Sequence, residues 1–330
     1  MNSKKIKFID LFAGVGGIRL GFERACEQNS FVSECVFTSE IDDKACEVYR
    51  KNFKDVHNPK NDITKIDTKD LPEYDVLLAG FPCQAFSVAG KRGGFEDTRG
   101  TLFFDVARII KDTRPKMFLL ENVKGLTNHN KGRTFDTILN VLCDELGYKV
   151  HYKILNAKDY GLPQNRERVY IVGFDKNIDF DFPEKYDYVY AHPTIWEIMD
   201  VEPDKKYYLS ERYWTTLKNH KERHKAKGNG FGYEIVSLNG IANTIVCGGM
   251  GKERNLLIDD FGAYMIKDYD KNKNFIRKMT PLEWERLQGF PDNWTDCVAD
   301  THRYKQMGNS VAVNVIYEVC NKMLLTYEKC

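Results

Sequence analysis

The sequence predicts an α/β protein, a large Rossmann-like domain followed by a smaller, mostly irregular and β domain, and three observations predict it. Lys4–Ala13 forms an apolar strand pattern, breaks at Gly14-Val-Gly-Gly17, and passes into a helical pattern with Ile18, Phe22 and Ala25 on one face. Further short apolar runs end in a glycine or a carboxylate, and open α/β sheets gather their ligands at such strand ends. After Phe174 the texture changes to a polar stretch with prolines at 183, 193 and 203 and no long periodicity. The expected boundaries are 1–174 for the large domain, 175–276 for the small one, and 277–330 for a C-terminal segment that packs back on the first.

Composition bounds the rest. A chain of 330 residues can bury a large core, and 42% hydrophobic with 29% charged residues is ordinary for a globular protein. No apolar run approaches a membrane span, and the Met1 start has no signal-like apolar core, so a cytoplasmic location is expected. Nine cysteines, with no Cys-x-x-Cys pair, argue against a disulfide framework and against a structural metal site. A net charge of +1 announces no polyanionic partner, so any nucleic-acid contact must come from a local patch.

In chain order, the glycines of the first turn let the backbone approach a ligand, and the helix that follows adds donors. The dinucleotide fingerprint is incomplete, because Arg19 occupies its third glycine position, and an ordinary tight turn would look the same. Val36–Glu40 reads as a second strand ending in a carboxylate of the kind that holds ribose hydroxyls, or simply meets solvent. Asp43–Asn52 is helical and Asp62-Ile63 opens a loop. Asp75–Gly80 is a buried strand broken by Phe81-Pro82, which places Cys83 just past its carboxyl end as a candidate nucleophile. Lys91–Gly100 reads as a loop, Thr101–Lys111 as an amphipathic helix, and Lys116–Leu120 as a strand delivering Glu121 to the same sheet edge. Arg133–Leu146 is a helix capped by Gly147, and Tyr148–Leu155 and Arg168–Phe174 are strands. Arg166 and Arg168, two residues apart, would share one strand face.

Beyond residue 175, Glu211–Gly228 carries six Lys or Arg against two acids. Such a run is either a solvated helix face or a phosphate-contacting one, and the glycines and aromatic of Gly228–Gly232 beside it suit the second. Met279–Phe290 is a helix opened by Thr280-Pro281, Tyr304–Ser310 a loop, and Val311–Leu325 an apolar helix that needs a partner surface.

Taken together, Phe12-Ala-Gly-Val-Gly-Gly17, Gly80-Phe-Pro-Cys-Gln84, Glu121-Asn-Val123, Gln164-Asn-Arg-Glu-Arg168 and Gly308-Asn-Ser310 stand in the order found in cytosine-C5 DNA methyltransferases, and the chain resembles that family over nearly its whole length. Lys221–Gly251 looks like the target-recognition segment of bacterial modification enzymes acting on CCGG, and less closely like that of enzymes acting on CCNGG-type sites. The resemblance implies the AdoMet-dependent methyltransferase fold, S-adenosyl-L-methionine (AdoMet) as cofactor, double-stranded DNA as partner, and pairing with a restriction endonuclease. A monomer would suffice for one base per visit.

The resemblance implies roles as well. Cys83 would add to cytosine C6, Glu121 would bind the base edge, and Arg168 with Arg166 would supply positive charge, unless Arg166 makes an ordinary phosphate or ion-pair contact. For the cofactor, Phe12, Gly14, Gly16 and Gly17 would line the methionine end, Glu40 the ribose, and Asp62 and Ile63 the adenine. Ile41 stands where relatives often carry tryptophan and would cover the adenine without aromatic stacking. Gly80, Pro82, Leu102, Asn309 and Ser310 would complete that pocket. A duplex cytosine must be swung out of the stack, and Ser87–Gly100, with Ser87, Lys91 and Arg92 on DNA, would close behind it. Other expected DNA contacts are Lys221, Arg223, Lys225 and Lys227 in the basic run, and Asn229, Phe231 and Tyr233 after it. Thr244, Gly248, Gly249 and Arg254 would add to these, with Met250 as a candidate to fill the vacated stack. Three rivals share parts of the pattern, one of them a non-catalytic DNA-binding protein that kept the fold, against which an intact Cys83, Glu121 and Arg168 speak. A tRNA cytosine-C5 methyltransferase has the same fold and cysteine, but the long segment from Asp175 to Ile276 favours duplex recognition. A nicotinamide-dependent dehydrogenase has the glycine turn and strand-end acid, but not the Pro-Cys-Gln element.

Overall fold

The computed structural model describes residues 4–54, 58–82, 102–187, 192–260 and 275–329. Its contacts divide the chain into two compact units. Unit 1 comprises Met1–Asn156, Glu167–Lys185 and Val313–Cys330, and unit 2 comprises Ala157–Arg166 and Tyr186–Ala312.

Unit 1 is built on a six-stranded sheet in the order β2-β1-β3-β4-β7-β5. The strands are β1 (Lys5–Leu11), β2 (Val32–Ser39), β3 (Val76–Gly80), β4 (Met117–Val123), β5 (Lys149–Asn156) and β7 (Glu167–Phe174). The first four run parallel, and β7 is inserted antiparallel between β4 and β5. β1 is flanked by β2 on one side and β3 on the other, so the winding reverses between β1 and β3. That switch point is where open sheets accept ligands. Register brings Leu11 opposite Ser39 and Ala79, and Gly80 opposite Glu121, so the carboxyl ends of four strands form one row.

The helices of this unit are α1 (Gly17–Gln28), α2 (Asp43–Asn52), α3 (Leu102–Thr113), α4 (Arg133–Asn140) and, at the far end of the chain, α8 (Val313–Glu328). α2 begins where the Asp42 carboxylate accepts from the Lys44 and Ala45 amides, an N-cap worth about 1 kcal/mol. Phe103, Val106, Ile109 and Ile110 of α3 are fully or nearly fully buried against Leu77, Phe118 and Leu120 of the sheet. α8 packs on α1, with Asn29 Nδ2 donating to Asn321 Oδ1 at 2.7 Å.

Unit 2 has little regular structure. It holds the short strands β6 (Gln164–Asn165), β8 (Ala242–Asn243), β9 (Leu256–Ile258) and β10 (Ile276–Lys278), paired β6 with β8 and β9 with β10. Its helices are α5 (Glu211–Ala226), α6 (Pro281–Leu287) and α7 (Asp300–Asn309). α6 starts with a reciprocal capping box between Thr280 and Glu283. Among the described residues no helix is long and apolar enough to cross a membrane.

Several expectations differ from what is seen. β2 begins four residues before Val36, because Val32–Cys35 also pairs with β1. The helix at Arg133 turns into one π-helical turn over Val141–Glu145 before Gly147 reverses the chain at φ +70°. Tyr304–Asn309 is not a loop but the second half of α7, where Tyr304 and Met307 bury one face and the Tyr304 hydroxyl donates to the Met279 carbonyl at 2.6 Å. Arg166 lies between β6 and β7 rather than within one strand, so it does not share a strand face with Arg168. Against the expected breaks at 174/175 and 276/277, contacts assign Ala157–Arg166 to the second unit and Glu167–Lys185 to the first, and the second unit runs on to Ala312, so that of 277–330 Val313–Cys330 belongs to the first.

Candidate active site and cofactor cradle

The chain leaves β1 through Phe12 at φ +55° and enters α1 through Gly16 at φ +85°. Gly16 has two reasons to be glycine: its left-handed backbone, and the Phe53 ring, whose Cε2 would lie 2.1 Å from any Cβ placed there. Behind that ring the Arg19 guanidinium stacks at 3.9 Å, and it also donates to Tyr49 Oη at 3.0 Å and Glu23 at 2.8 Å. A stack of guanidinium, ring and glycine therefore shapes the turn from behind.

Glu40 holds the turn from the other side. Its Oε2 accepts from the Gly14 amide at 2.8 Å, and its Oε1 from the Ile41 and Asp42 amides at 2.8 and 2.7 Å. A carboxylate oriented by three backbone donors keeps lone pairs for ribose hydroxyls, and this fits a nucleoside cofactor. Ile41 beside it is 69% exposed. Asp62 caps the turn Ile63–Lys65, accepting from the Thr64 hydroxyl at 2.8 Å and its amide at 3.1 Å, and these bonds lower its carboxyl below the usual range. Ile63 is buried, and its carbonyl accepts from Arg108 of α3 at 3.0 Å. Leu102 opens α3 and is half-buried against the core that Ile63 belongs to.

At the next strand ends, Glu121 and Arg168 meet. The Glu121 carboxylate lies 3.3 Å from Arg168 Nε, with side chains only 10% and 11% exposed. The pairing of Val123 with Arg168 across β4 and β7 sets this distance. A Cβ on Gly80 would stand 3.8 Å from Glu121 Oε2, which shows how close β3 brings the backbone to that carboxylate. Asn122, which the sequence reading did not single out, is 3% exposed and donates from Nδ2 to the Phe81 carbonyl at 2.8 Å. It thereby fixes the peptide immediately before Pro82. Cys83 itself, with Ser87, Lys91, Arg92 and the expected closing segment, lies outside the described residues. The described cysteines form no disulfide. Of these, Cys26 and Cys35 are pushed up to about 12 and Cys46 to about 11 by burial, which marks them as packing groups.

In unit 2 the residues Gln164–Arg166 act as a hub. The Gln164 side chain accepts from the Ile245 amide at 3.0 Å and donates to the Leu287 carbonyl at 2.9 Å. Arg166, 2% exposed, donates to the carbonyls of Ile245 (3.0 Å) and Ser310. Gln288 donates to the Met307 carbonyl at 2.8 Å. Arg166 is thus a tie between backbone segments, whereas Arg168 is the arginine whose guanidinium reaches Glu121. The only sequence sign of this hub was a glutamine and an arginine within a short motif, with no periodicity to say which way either pointed.

The expected DNA contacts divide by what they already touch. Lys221 Nζ donates to the Tyr233 carbonyl at 3.0 Å and sits 4.5 Å above the Tyr233 ring, so both residues are committed to the unit's own packing. Met250 packs, half-buried, on the cluster of Leu209, Leu217, Leu256 and Ile276. Arg254 lies 3.6 Å from Glu234. Thr244 donates its hydroxyl to the Asn165 carbonyl. Arg223, Lys225 and Lys227 are exposed along the end of α5, and Asn229 Oδ1 accepts there from His224 Nδ1 at 2.7 Å. Phe231 is 68% exposed, and Gly248 and Gly249 form an exposed turn.

The family described as C-5 cytosine-specific DNA methylase matches residues 6–325. The chain is 55% identical over 331 residues to the type II methyltransferase M.HpaII of Haemophilus parainfluenzae, covering 97% of this chain and 90% of that protein. It is 48% identical to the type II methyltransferase M1.ScrFI of Lactococcus lactis subsp. cremoris, covering 98% and 79%. Its fold is similar to that of the Entamoeba histolytica methyltransferase EhMeth, with a TM-score of 0.75 at 21% identity over 99% of both chains. Methylases of this family take their methyl group from AdoMet, and the chain, matched from its first strand to its last helix, belongs to the C-5 cytosine-specific DNA methylases.

Proposed function

We propose that this methyltransferase modifies the inner cytosine of CCGG in duplex DNA, through a covalent bond from Cys83 to a base swung out of the helix. The observation that carries the reading is the buried Glu121–Arg168 pair, with Glu121 on the strand beside the one that ends at Gly80 and Arg168 on the next. Resemblance of Lys221–Gly251 to the recognition segment of CCGG enzymes supports the site, with CCNGG-type sites as the weaker alternative. The restriction–modification setting implies a partner endonuclease, and we place the enzyme in the cytoplasm as a monomer.

Cytosine C5 is a poor nucleophile, so the chain's task is to make it a better one. The Cys83 thiolate forms a bond to C6, and electron density moves to C5 as N3 takes a proton from the Glu121 carboxyl. Glu121 holds that edge, accepting from N3–H and the N4 amine, while Arg168 fixes the carboxylate's orientation and adds positive charge beside the ring. Asn122 holds the Phe81 carbonyl, and with it the backbone that leads to the nucleophile. The bound AdoMet supplies the electrophilic methyl group that C5 takes up. A base then removes the C5 proton, the electron pair re-forms the C5–C6 double bond and expels the Cys83 sulfur as thiolate, and N3 returns its proton to Glu121. Phe12, Gly14, Gly16, Glu40, Ile41, Asp62 and Ile63 are the proposed cofactor contacts of unit 1, and Asn309 and Ser310 those of unit 2.

The test is expression in a methylation-free host followed by single-base sequencing of 5-methylcytosine in plasmid DNA. Modification of the inner cytosine of CCGG supports reaction and site together. Methylation at another motif overturns the site and leaves the chemistry, and an unmodified plasmid alongside methylated tRNA overturns the substrate.

A further inference from the structure

Beyond Glu121 the chain leaves β4 through a strongly basic stretch of unit 1. The ten residues Lys124-Gly-Leu-Thr-Asn-His-Asn-Lys-Gly-Arg133 hold two lysines, an arginine and a histidine, and no acid. The whole chain, by contrast, balances 49 basic residues against 48 acidic ones. Lys124 spends its charge locally, with Nζ 2.9 Å from a Glu167 carboxylate oxygen on β7. Lys131 and Arg133 are exposed, and neither makes an ion pair among the described residues. From α4 the Asp136 carboxylate approaches the backbone of Gly132, 4.0 Å from where a Cβ would stand, without pairing to either cation.

The stretch is held firmly from below. Leu126 is 1% exposed, in the apolar core to which Phe135 and Ile138 belong. His129 Nδ1 bonds to the buried Thr134 Oγ1 at 2.7 Å, and the Arg133 amide donates to the Asn130 carbonyl. Asn130 and Lys131 sit at φ +51° and +59°, left-handed conformations that residues other than glycine keep only where their surroundings impose them. The backbone carrying both cations is therefore ordered before any partner arrives, and little ordering entropy is lost on binding. Its place matters as much. Gly80 pairs with Glu121 and Val123 with Arg168, so the stretch begins at the strand ends that receive the base. A nucleotide swung out to Glu121 stays bonded to a phosphate on either side, and those phosphates must lie beside that row. We propose that Lys124–Arg133 is a docking surface for the DNA backbone flanking the swung-out cytosine, with Lys131 and Arg133 each neutralising a phosphate. Contacts of this kind position a duplex and read no bases. The proposal rests on the reading of the chain as a methyltransferase of duplex DNA, and the experiment separates the two.

The test measures binding of the full chain, with S-adenosylhomocysteine present, to a CCGG duplex and to a duplex lacking that site, over a series of salt concentrations. The variants are Lys131→Gln, Arg133→Gln and the two combined, with Lys131→Arg to keep the charge. Lys7→Gln, at an exposed lysine toward the amino end of β1, is the control. Each single loss of charge should weaken both duplexes by the same factor, about three- to tenfold. Each should also lower the slope of log affinity against log salt by about 0.9, and the combined variant by about twice that. Lys131→Arg should keep the parent's affinity and slope, and S-adenosylhomocysteine affinity without DNA should be the same in every variant. Parental affinity and slope in the combined variant overturn the docking surface, and so does an equal loss in Lys7→Gln, which would report net charge alone. Loss confined to the CCGG duplex overturns it too, since the cations would then act through bases, as does a parallel fall in S-adenosylhomocysteine affinity, which would mark a fault in the fold. A parent protein that binds neither duplex and methylates tRNA instead removes the DNA reading itself, and the docking surface with it.

Discussion

The two units solve the same problem, holding functional groups still, with opposite materials. Unit 1 holds them on the ends of parallel strands whose core is apolar: Ile9, Leu77, Phe118, Leu120, Val169 and Ile171 are fully buried. Each such side chain contributes about 1.5–3 kcal/mol. Its site residues are then fixed by register and by backbone donors, as Glu40 is by three amides. Unit 2 has few and short strands, and its interior is crossed by buried polar ties. Arg277, fully buried, makes a two-pronged pair with Glu283 at 2.7 and 2.8 Å and a second pair with Asp259. Glu285, also fully buried, accepts from the Thr295 amide at 2.9 Å and from Arg303 at 3.0 Å. Apolar burial tolerates exchange of one hydrophobe for another, whereas a buried ion network fails when any one member goes.

The largest effects should come from the strand ends of unit 1. Cys83→Ala should abolish methyl transfer while leaving cofactor and DNA binding intact, measured by incorporation of labelled methyl groups and by gel shift. Residual transfer near the parent rate would sink the covalent mechanism. Glu121→Gln keeps the shape and removes the charge, and should lower turnover about 10²–10³-fold. A rate within a fewfold of the parent would remove Glu121 from the reaction.

The polar interior of unit 2 gives the next effect. Arg277→Met leaves two carboxylates buried without their partner, which costs about 3–5 kcal/mol. All four tryptophans (196, 214, 284 and 294) belong to this unit, so tryptophan fluorescence reports its unfolding while far-ultraviolet dichroism reports both units. The fluorescence midpoint in urea should fall well below the parent's and ahead of the dichroism change. A common, unshifted midpoint would show that the ion network does not hold the unit.

The division also explains what the sequence made legible. In unit 1, Lys4–Ala13 and Asp75–Gly80 announce themselves by apolar runs ended by glycine, and the apolar runs before Glu40 and Glu121 mark those carboxylates as strand-end residues in the same way. In unit 2 there is no such period. Tyr304–Ser310 reads as a loop in sequence, yet its residues to Asn309 are the second half of α7, and Gly308 is there to let the Cys247 backbone approach. Arg166 and Arg168 look equivalent in sequence and are not, because the chain breaks its strand between them. Long-range side-chain ties such as Gln164 to Leu287, 123 residues apart, leave no local trace.

The smallest effect tests whether the apolar unit is free of such polar stakes, and Asp10 says it is not. It sits fully buried in β1 just before the glycine turn, with Oδ2 accepting from Tyr49 Oη at 3.3 Å and Oδ1 without a hydrogen-bond partner among the described residues. Burial pushes its carboxyl up from 3.8 to about 7, opposed by the nearby Arg19. In the unfolded chain it titrates near the ordinary value of about 3.9. Between about pH 4 and pH 7 the folded protein therefore binds a proton that the unfolded chain does not. This contribution to stability is complete below about pH 4 and is lost as pH rises through about 7. Asp10→Asn is neutral at every pH and removes the contribution. The melting temperature of the parent should thus fall relative to Asp10→Asn by a few degrees between pH 5 and pH 8, a range wide enough to contain the titration. Parallel melting curves for the two proteins across that range would mean that Asp10 is ionised throughout, paired well enough by Arg19 and Tyr49 to offset its burial.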